Sequence, residues 1–299
     1  MFNGRGADLG IMDIVFSEVD HCYMPKTPFE KIALEDVNMK IRSGSFTAII
    51  GHTGSGKSTL VQHINGLLKP TSGTVQVGPF TIKAGEKKID LLNLRRKVGH
   101  VFQYPEHQLF EETVEKDICF GPVNFGLSKE HATKRAQELI KVVGLDTSFL
   151  AKSPFHLSGG QMRRVAIAGV LASRPSVLVL DEPAAGLDPE GRNQMMELFS
   201  NYHKEHNTTT ILVTHHMEDA AKYADQIIVM HKGKIEMFGG RDLIFKEAKR
   251  LEELGLGLPN TVRFLQGVKE KFHLASVPNR FDVEGTSAFI AELLRAKEE

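Results

Sequence analysis

An α/β fold built around a phosphate-binding loop (P-loop) is what this sequence predicts, and three observations predict it. Gly51-His52-Thr53-Gly54-Ser55-Gly56-Lys57-Ser58 satisfies the pattern G-x-x-x-x-G-K-[ST]. The motif stands directly behind the apolar run 46–50 and ahead of a helical pattern over 59–68, the strand, loop and helix that such a motif needs. Farther along, 177–180 and 211–213 are continuous runs of β-type apolar residues, as strands buried on both faces require. In this setting glycines let successive backbone N–H groups turn inward around a polyphosphate, and the helix offers its positive end to the anion. Lys57 then reaches the β- and γ-phosphates, and Ser58 holds Mg²⁺.

A chain of 299 residues can bury a sizeable core, as one large domain with an appendage or two modest domains. Acidic and basic residues balance at 37 each, so no overall field recommends a nucleic acid or an anionic membrane as partner. Cys22 and Cys119 form no C-x-x-C or Cys/His cluster, which argues against a structural zinc site or a disulfide scaffold and fits a reducing, cytosolic setting. Apolar stretches such as 165–172 fall short of the ~20 residues that cross a bilayer, so any membrane role is peripheral. Residues 1–11 lack the pattern of a secretory signal and are expected to be an N-terminal extension or cloning remnant before Met12.

Ahead of the loop, strand-like runs over 14–19, 37–41 and 46–50, broken by Pro25, Pro28 and Gly44, predict a small sheet placed before the nucleotide core. Tyr23 is the aromatic best placed to stack on a base; packing against the sheet is the other reading of the same ring. The helix after the loop is expected to end near Lys69-Pro70, because proline cannot continue it, and short strands over 74–77 and 81–82 come next. The run 97–101 leads to Gln103, which at a strand end can reach both Mg²⁺ and a water, with a flexible segment behind it. Residues 113–144 read as helical, with breaks at Gly121-Pro122 and at Gly126.

Leu157-Ser158-Gly159-Gly160-Gln161 precedes an apolar helix entered through two arginines. Its small residues expose backbone donors and make a second anion site, or else Ser158 is an ordinary helix cap. The buried run 177–180 ends in Asp181-Glu182, two adjacent carboxylates that are costly unless a cation faces them. Asp181 is then the metal-side carboxylate, and Glu182 is free to polarise an attacking water. Asp188-Pro189 opens the next helix, and capping explains Asp188 locally in full. His215, at the tip of the 211–213 strand, either contacts a γ-phosphate or is a surface histidine. Beyond Gly240 the composition shifts to charged amphipathic helices over 242–254, 262–272 and 286–296, whose apolar stripes serve intrachain packing or a partner surface.

In this order the signals resemble the ATP-binding cassette (ABC) family of ATPases over about residues 12–240. Gly51 to Ser58 stand as its Walker A motif, Gln103 as the Q-loop, Leu157 to Gln161 as the signature, 177–182 as Walker B, 185–188 as the D-loop and His215 as the switch. The resemblance implies a RecA-like core with an N-terminal antiparallel β-subdomain, a helical signature subdomain over about 104–172, and a helical extension over 241–299. It also implies that ATP, with Mg²⁺ on Ser58, Gln103 and Asp181, is clasped between two such domains. Tyr23 would stack on adenine, Thr59 would touch the α-phosphate, and Ser158, Gly159, Gly160, Gln161 and Asp188 would belong to the shared site, with Lys57, Gln103, Glu182 and His215 carrying hydrolysis.

The stretches between the motifs narrow this. Thr27-Pro28-Phe29-Glu30, His52-Thr53, Phe102-Gln103-Tyr104-Pro105-Glu106, Phe120-Gly121-Pro122 and 164–172 resemble the ATPases of energy-coupling factor transporters, the second of their two paralogues in particular. This narrower resemblance implies a peripheral subunit on the cytoplasmic face of a bacterial membrane. It would pair with a sister ATPase or with itself, and dock through positions around 106–110 on a transmembrane coupling subunit. Exchangeable membrane-embedded subunits would capture vitamins or metal ions, and nucleic acid is not a partner. The ATPase of another importer, for cobalt, nickel or a different solute, is the alternative.

Overall fold

Two sheets, one antiparallel and one mostly parallel, organise the computed structural model, which describes residues 11–86 and 88–298. Of the extension expected over 1–11, residues 1–10 lie outside the described residues. Strands β1 (Ile14–Tyr23) and β2 (Lys31–Ile41) pair antiparallel, β3 (Phe46–Ile50) runs into the glycine-rich loop and α1 (Lys57–Ile64) leaves it. Strands β4 (Ser72–Val77) and β5 (Phe80–Lys83) return to β1, giving an antiparallel sheet in the order β2-β1-β4-β5. After α2 (Leu91–Lys97) and β6 (Val98–Val101) come three helices: α3 (Val114–Asn124), α4 (Lys129–Val142) and α5 (Gly159–Ala172). The chain then alternates through β7 (Val177–Asp181), α6 (Pro189–His206), β8 (Thr209–Val213), α7 (Met217–Tyr223) and β9 (Gln226–His231), and closes the sheet with β10 (Lys234–Gly240). Helices α8 (Arg241–Lys246), α9 (Ala248–Glu253), α10 (Asn260–Lys271) and α11 (Val283–Glu298) end it.

The second sheet runs β10-β9-β3-β8-β7-β6, parallel from β9 to β6 with β10 as an antiparallel edge. Every residue of β3, β7 and β8 is buried, and their alternation divides them between two cores. Phe46, Ala48, Ile50, Leu178, Leu180 and Leu212 face the helical layer with Ile118, Ile140, Ile167 and Phe199. Ile49, Val177, Val179, Ile211 and Val213 face α1 and the small sheet with Leu60, Ile64, Phe16 and Ile82. Each of the larger side chains here stabilises the fold by about 1.5–3 kcal/mol, so the central strands form a rigid edge from which the loops at their ends project.

Several expectations need correction. The small sheet does not lie wholly before the loop: β4 and β5 complete it, and β3 belongs to the centre of the other sheet. Helix α1 stops at Ile64, before Lys69-Pro70, because Gly66 takes the left-handed conformation (φ 65°) that ends a helix. Gly121-Pro122 does not break α3; Pro122 lies inside it, in the last turn, held by burial with Val114 and Ile118 against α4 and α5. The chain turns only at Gly126, at φ 90°. The charged stretch 242–254 forms two short helices, α8 and α9, rather than one. Phe245, Leu251 and Leu254 there, with Leu256 and Leu258 just after, join the larger core, whereas Phe264 on α10 and Leu294 on α11 stay exposed.

Candidate functional site

Because β3, β8, β7 and β6 are parallel neighbours, their carboxyl ends share one edge, where open α/β sheets present ligand-binding loops. Gly51 follows β3, Gln103 lies just past β6, Asp181 and Glu182 end β7, and His215 lies just past β8. Two glycines shape the first loop. A Cβ on Gly51 (φ 152°) would come 2.4 Å from the Met230 carbonyl, and one on Gly56 (φ 103°) 2.6 Å from that of Ala33. Only glycine fits both places.

Lys57 is buried, and its Nζ donates to the carbonyls of Gly51 (2.7 Å) and His52 (2.8 Å). Burial pushes its pKa down, against the pull of Glu182 and Asp181. Ser58 Oγ donates to Asp181 Oδ1 at 3.3 Å. Burial raises the Asp181 carboxyl, the Ser58 hydrogen bond and Lys57 oppose this, and neighbouring Glu182 adds to it. A hydroxyl and a buried carboxylate so placed are hard oxygen donors that fit Mg²⁺. Among the described residues no group of three or more His, Cys, Asp and Glu could hold a metal; waters and phosphate oxygens would complete the shell of an ion on these two donors. Ser55 Oγ is buried with no hydrogen-bond partner, a donor suited to an anion in the loop. Thr53 and Gly54 at the loop tip are exposed. Tyr23 offers a partly exposed ring, and its hydroxyl bonds Thr59 Oγ1 at 3.1 Å.

Glu182 is the point of convergence. Its backbone is left-handed (φ 49°), a conformation non-glycine residues seldom hold except where neighbours enforce it, and its N–H donates to the Val213 carbonyl at 3.0 Å. One carboxylate oxygen accepts from Gln103 Nε2 at 3.3 Å, and the other lies 3.2 Å from His215 Nδ1. Gln103 therefore meets Glu182 and has no bond to Ser58 or Asp181 among the described residues, while its Oε1 is left for a metal or a water.

The other candidates stand apart. Ser158 caps α5 in a capping box: its Oγ accepts from Gln161 N–H (3.3 Å), and Gln161 Oε1 accepts from Ser158 N–H (3.0 Å). Gly159 and Gly160 come next, with open space beside them. Asp188 caps α6 through Gly191 N–H at 2.8 Å. No hydrogen bond joins any of these five to residues 51–59 among the described residues.

A model of the family described as ABC transporter matches residues 34–185. The energy-coupling factor transporter ATP-binding protein EcfA2 of Bacillus anthracis is 57% identical over 284 residues, 95% of this chain and 97% of that one. The chain belongs to this family of ABC transporter ATP-binding proteins. EcfA2 of Halalkalibacterium halodurans is 60% identical, covering 92% of this chain and 98% of its own. Among solved structures, cbiO1 from Clostridium perfringens, part of the ABC transporter complex cbiONQ, superposes with a TM-score of 0.70 at 36% identity, over 86% of this chain and 99% of that one. A dimeric ATP-binding cassette in a post-hydrolysis state with ADP and Pi gives a TM-score of 0.68 at 32% identity, over 76% and 98%.

Within this ABC ATPase fold one buried ion pair escaped the sequence reading. Arg163, on the apolar helix α5, forms a two-point ion pair with Glu106 (Nε–Oε2 and Nη2–Oε1, both 3.0 Å) and donates from Nη1 to the Ala185 carbonyl at 2.7 Å. Burial pushes the Glu106 carboxyl up, the Arg163 hydrogen bonds and charge more than offset this, and the net shift is down. The segment after Gln103 is therefore pinned, not loose: Pro105–Gln108 is a single turn of 3₁₀ helix with Glu106 turned inward. Leu109 and Phe110 face a cleft of about 280 Å³ instead, with Phe120 edge-on to Phe110 at 4.8 Å. The signal that could have found the pair is an arginine inside an apolar helix, which demands a carboxylate.

Proposed function

We propose that this chain binds and hydrolyses ATP as the ATP-binding subunit of an energy-coupling factor transporter, powering uptake of vitamins or other micronutrients. The observation that carries the reading is the meeting of Gln103, Glu182 and His215 beside Lys57 and the Ser58–Asp181 pair. The N–H groups of residues 51–56 would cradle the β- and γ-phosphates. Lys57, held by two loop carbonyls, would turn to the same phosphates, Tyr23 would stack on adenine, and the Thr59 hydroxyl would meet the α-phosphate. Mg²⁺ on Ser58, Asp181 and Gln103 would supply neutralisation of the charge between β- and γ-oxygens.

Glu182 takes the proton of the attacking water, the step its partly accessible carboxylate and fixed backbone suit. Gln103 and His215 flank that carboxylate from either side, and His215, with Nδ1 facing Glu182, keeps Nε2 for the γ-phosphate. Ser158, Gly159, Gly160 and Gln161, with Asp188, serve the nucleotide of a second protomer, a sister ATPase or another copy. The ATP-bound dimer would open when hydrolysis removes the shared ligand. Among the described residues no helix is long and apolar enough to cross a membrane. A transmembrane coupling subunit would dock at the Leu109–Phe110–Phe120 cleft on the cytoplasmic face, and exchangeable substrate-binding subunits would complete the transporter.

The test is Glu182→Gln. It should bind ATP within a few-fold of the parent, hydrolyse it about 10²–10⁴-fold more slowly, and accumulate as a closed dimer in size-exclusion chromatography with ATP. Undiminished turnover would place the general base elsewhere. Copurification from native membranes should bring down a sister ATPase and one polytopic subunit; a dedicated permease without them would favour another importer.

A further inference from the structure

Behind the Glu182–His215 pair lies a second layer of polar groups with no part in the hydrolytic step itself. His216 follows His215, with the two rings 4.1 Å apart and tilted by 40°. Its Nδ1 lies 3.1 Å from Nη1 of Arg192. A guanidinium has only donors, so Nδ1 is the acceptor; the ring is neutral and carries its proton on Nε2. The His216 N–H donates to Thr214 Oγ1 at 3.0 Å, which fixes the turn that delivers both histidines.

Arg192 comes from the other side. It stands in the first turn of α6, its N–H donates to the Asp188 carbonyl at 2.9 Å, and the 185–188 turn lies just ahead of that helix. Its Nε is buried without a hydrogen-bond partner, so the Nη1 bond to His216 anchors the side chain. Asp219 on α7 is buried nearby, where burial raises its carboxyl and the Arg192 charge opposes the rise.

We infer that His216 is a positioning residue for hydrolysis: as a neutral acceptor it ties Arg192, and through it the 185–188 turn, to the face against which the His215 ring rests. The inference builds on the proposed ATPase reading. The charged and titratable groups acting on His216 are Arg192 on α6, His215 and Glu182 at the strand ends and Glu218 on α7, while Asp219 on α7 acts on Arg192 and His215. Burial first, then the charges of His215 and Arg192, hold the His216 pKa below the usual histidine range, with Glu218 and Glu182 opposing. Protonating Nδ1 replaces the acceptor by a donor and sets two cations face to face. The link is therefore complete above the ordinary histidine range and is lost as pH falls through the lower value the fold imposes.

The test joins an activity-independent readout to a kinetic one, on the full chain with its cassette partner. Imidazole ¹⁵N shifts should show His216 as the Nε2–H tautomer at pH 8, and Arg192→Gln should release that preference. His216→Gln, neutral at every pH and still able to accept from Arg192, should keep turnover at pH 8 within about threefold and retain more of it than the parent once the pH is taken well below the ordinary histidine range, to about 5. His216→Lys, a permanent cation, should lower turnover at least tenfold at pH 8 with nucleotide affinity unchanged. An Nδ1–H tautomer, a His216→Gln profile that superposes on the parent's, or a fully active His216→Lys would each overturn the inference. A parent chain without ATPase activity would sink the functional reading instead, while the tautomer result would still decide the Arg192 contact.

Discussion

Two helices of this chain begin in a run of small residues, and they treat their free backbone donors in opposite ways. Helix α1 starts at Gly56, in a left-handed conformation with no side-chain cap, so its first N–H groups are left open at the sheet edge beside Lys57, Ser58 and Asp181. Helix α5 starts at Ser158 with a complete capping box and no bond to the strand-end cluster through residues 158–161. The first is unfinished in a way that an anion completes; the second is satisfied as it stands, with the open flank at Gly159 and Gly160 its remaining opportunity. One chain thus carries an open helix start and, apart from it, a satisfied one, the arrangement that the proposed sharing of a ligand between two protomers would use.

The contrast can be broken at its strut. Arg163 fastens α5 to the segment after Gln103 and to the Ala185 turn. Arg163→Ala would leave Glu106 nearly buried and unpaired, and should destabilise the fold by about 3–5 kcal/mol, read from urea unfolding; a change under about 1 kcal/mol would mean the pair is ornamental. Next in size, Lys57→Ala should weaken ATP binding about 100-fold, or ~2.7 kcal/mol, the worth of a charge-assisted contact to phosphate. Titration of a fluorescent ATP analogue measures it, and unaltered affinity would contradict the assignment of the first helix start. Smallest is Gly160→Val: nothing lies within 4 Å of the position a Cβ would take, so melting should be unaffected and single-chain nucleotide affinity retained. Turnover in the dimer should nevertheless fall about 30-fold, or ~2 kcal/mol; full turnover would show that α5 never meets a nucleotide.

Much of this was legible beforehand, unevenly. The loop, the strand before it and the helix after it lie within about twenty residues and obey local rules of glycine conformation and helix capping, so Gly51, Gly56, Lys57 and Ser58 could be placed from spacing alone. Asp181 and Glu182 were legible because charges ending an apolar strand need a reason. Gln103 and His215 carried little signal singly, since any strand can end in a glutamine or a histidine. The course of α3 through Pro122 was misjudged because burial against α4 and α5 overrode a local breaker.

By itself the sequence determined which strands are buried, where the phosphate loop turns and how α5 and α6 are capped, because each depends on residues a few positions apart. Tertiary structure alone decided that Gln103, 79 residues away, meets Glu182, that Glu106 rather than another carboxylate answers Arg163, and that Arg192 finds His216. The physical reason is that lateral strand order and helix packing set these meetings. Parallel strands place their carboxyl ends side by side in the order β3-β8-β7-β6, an order that no local pattern in the chain spells out.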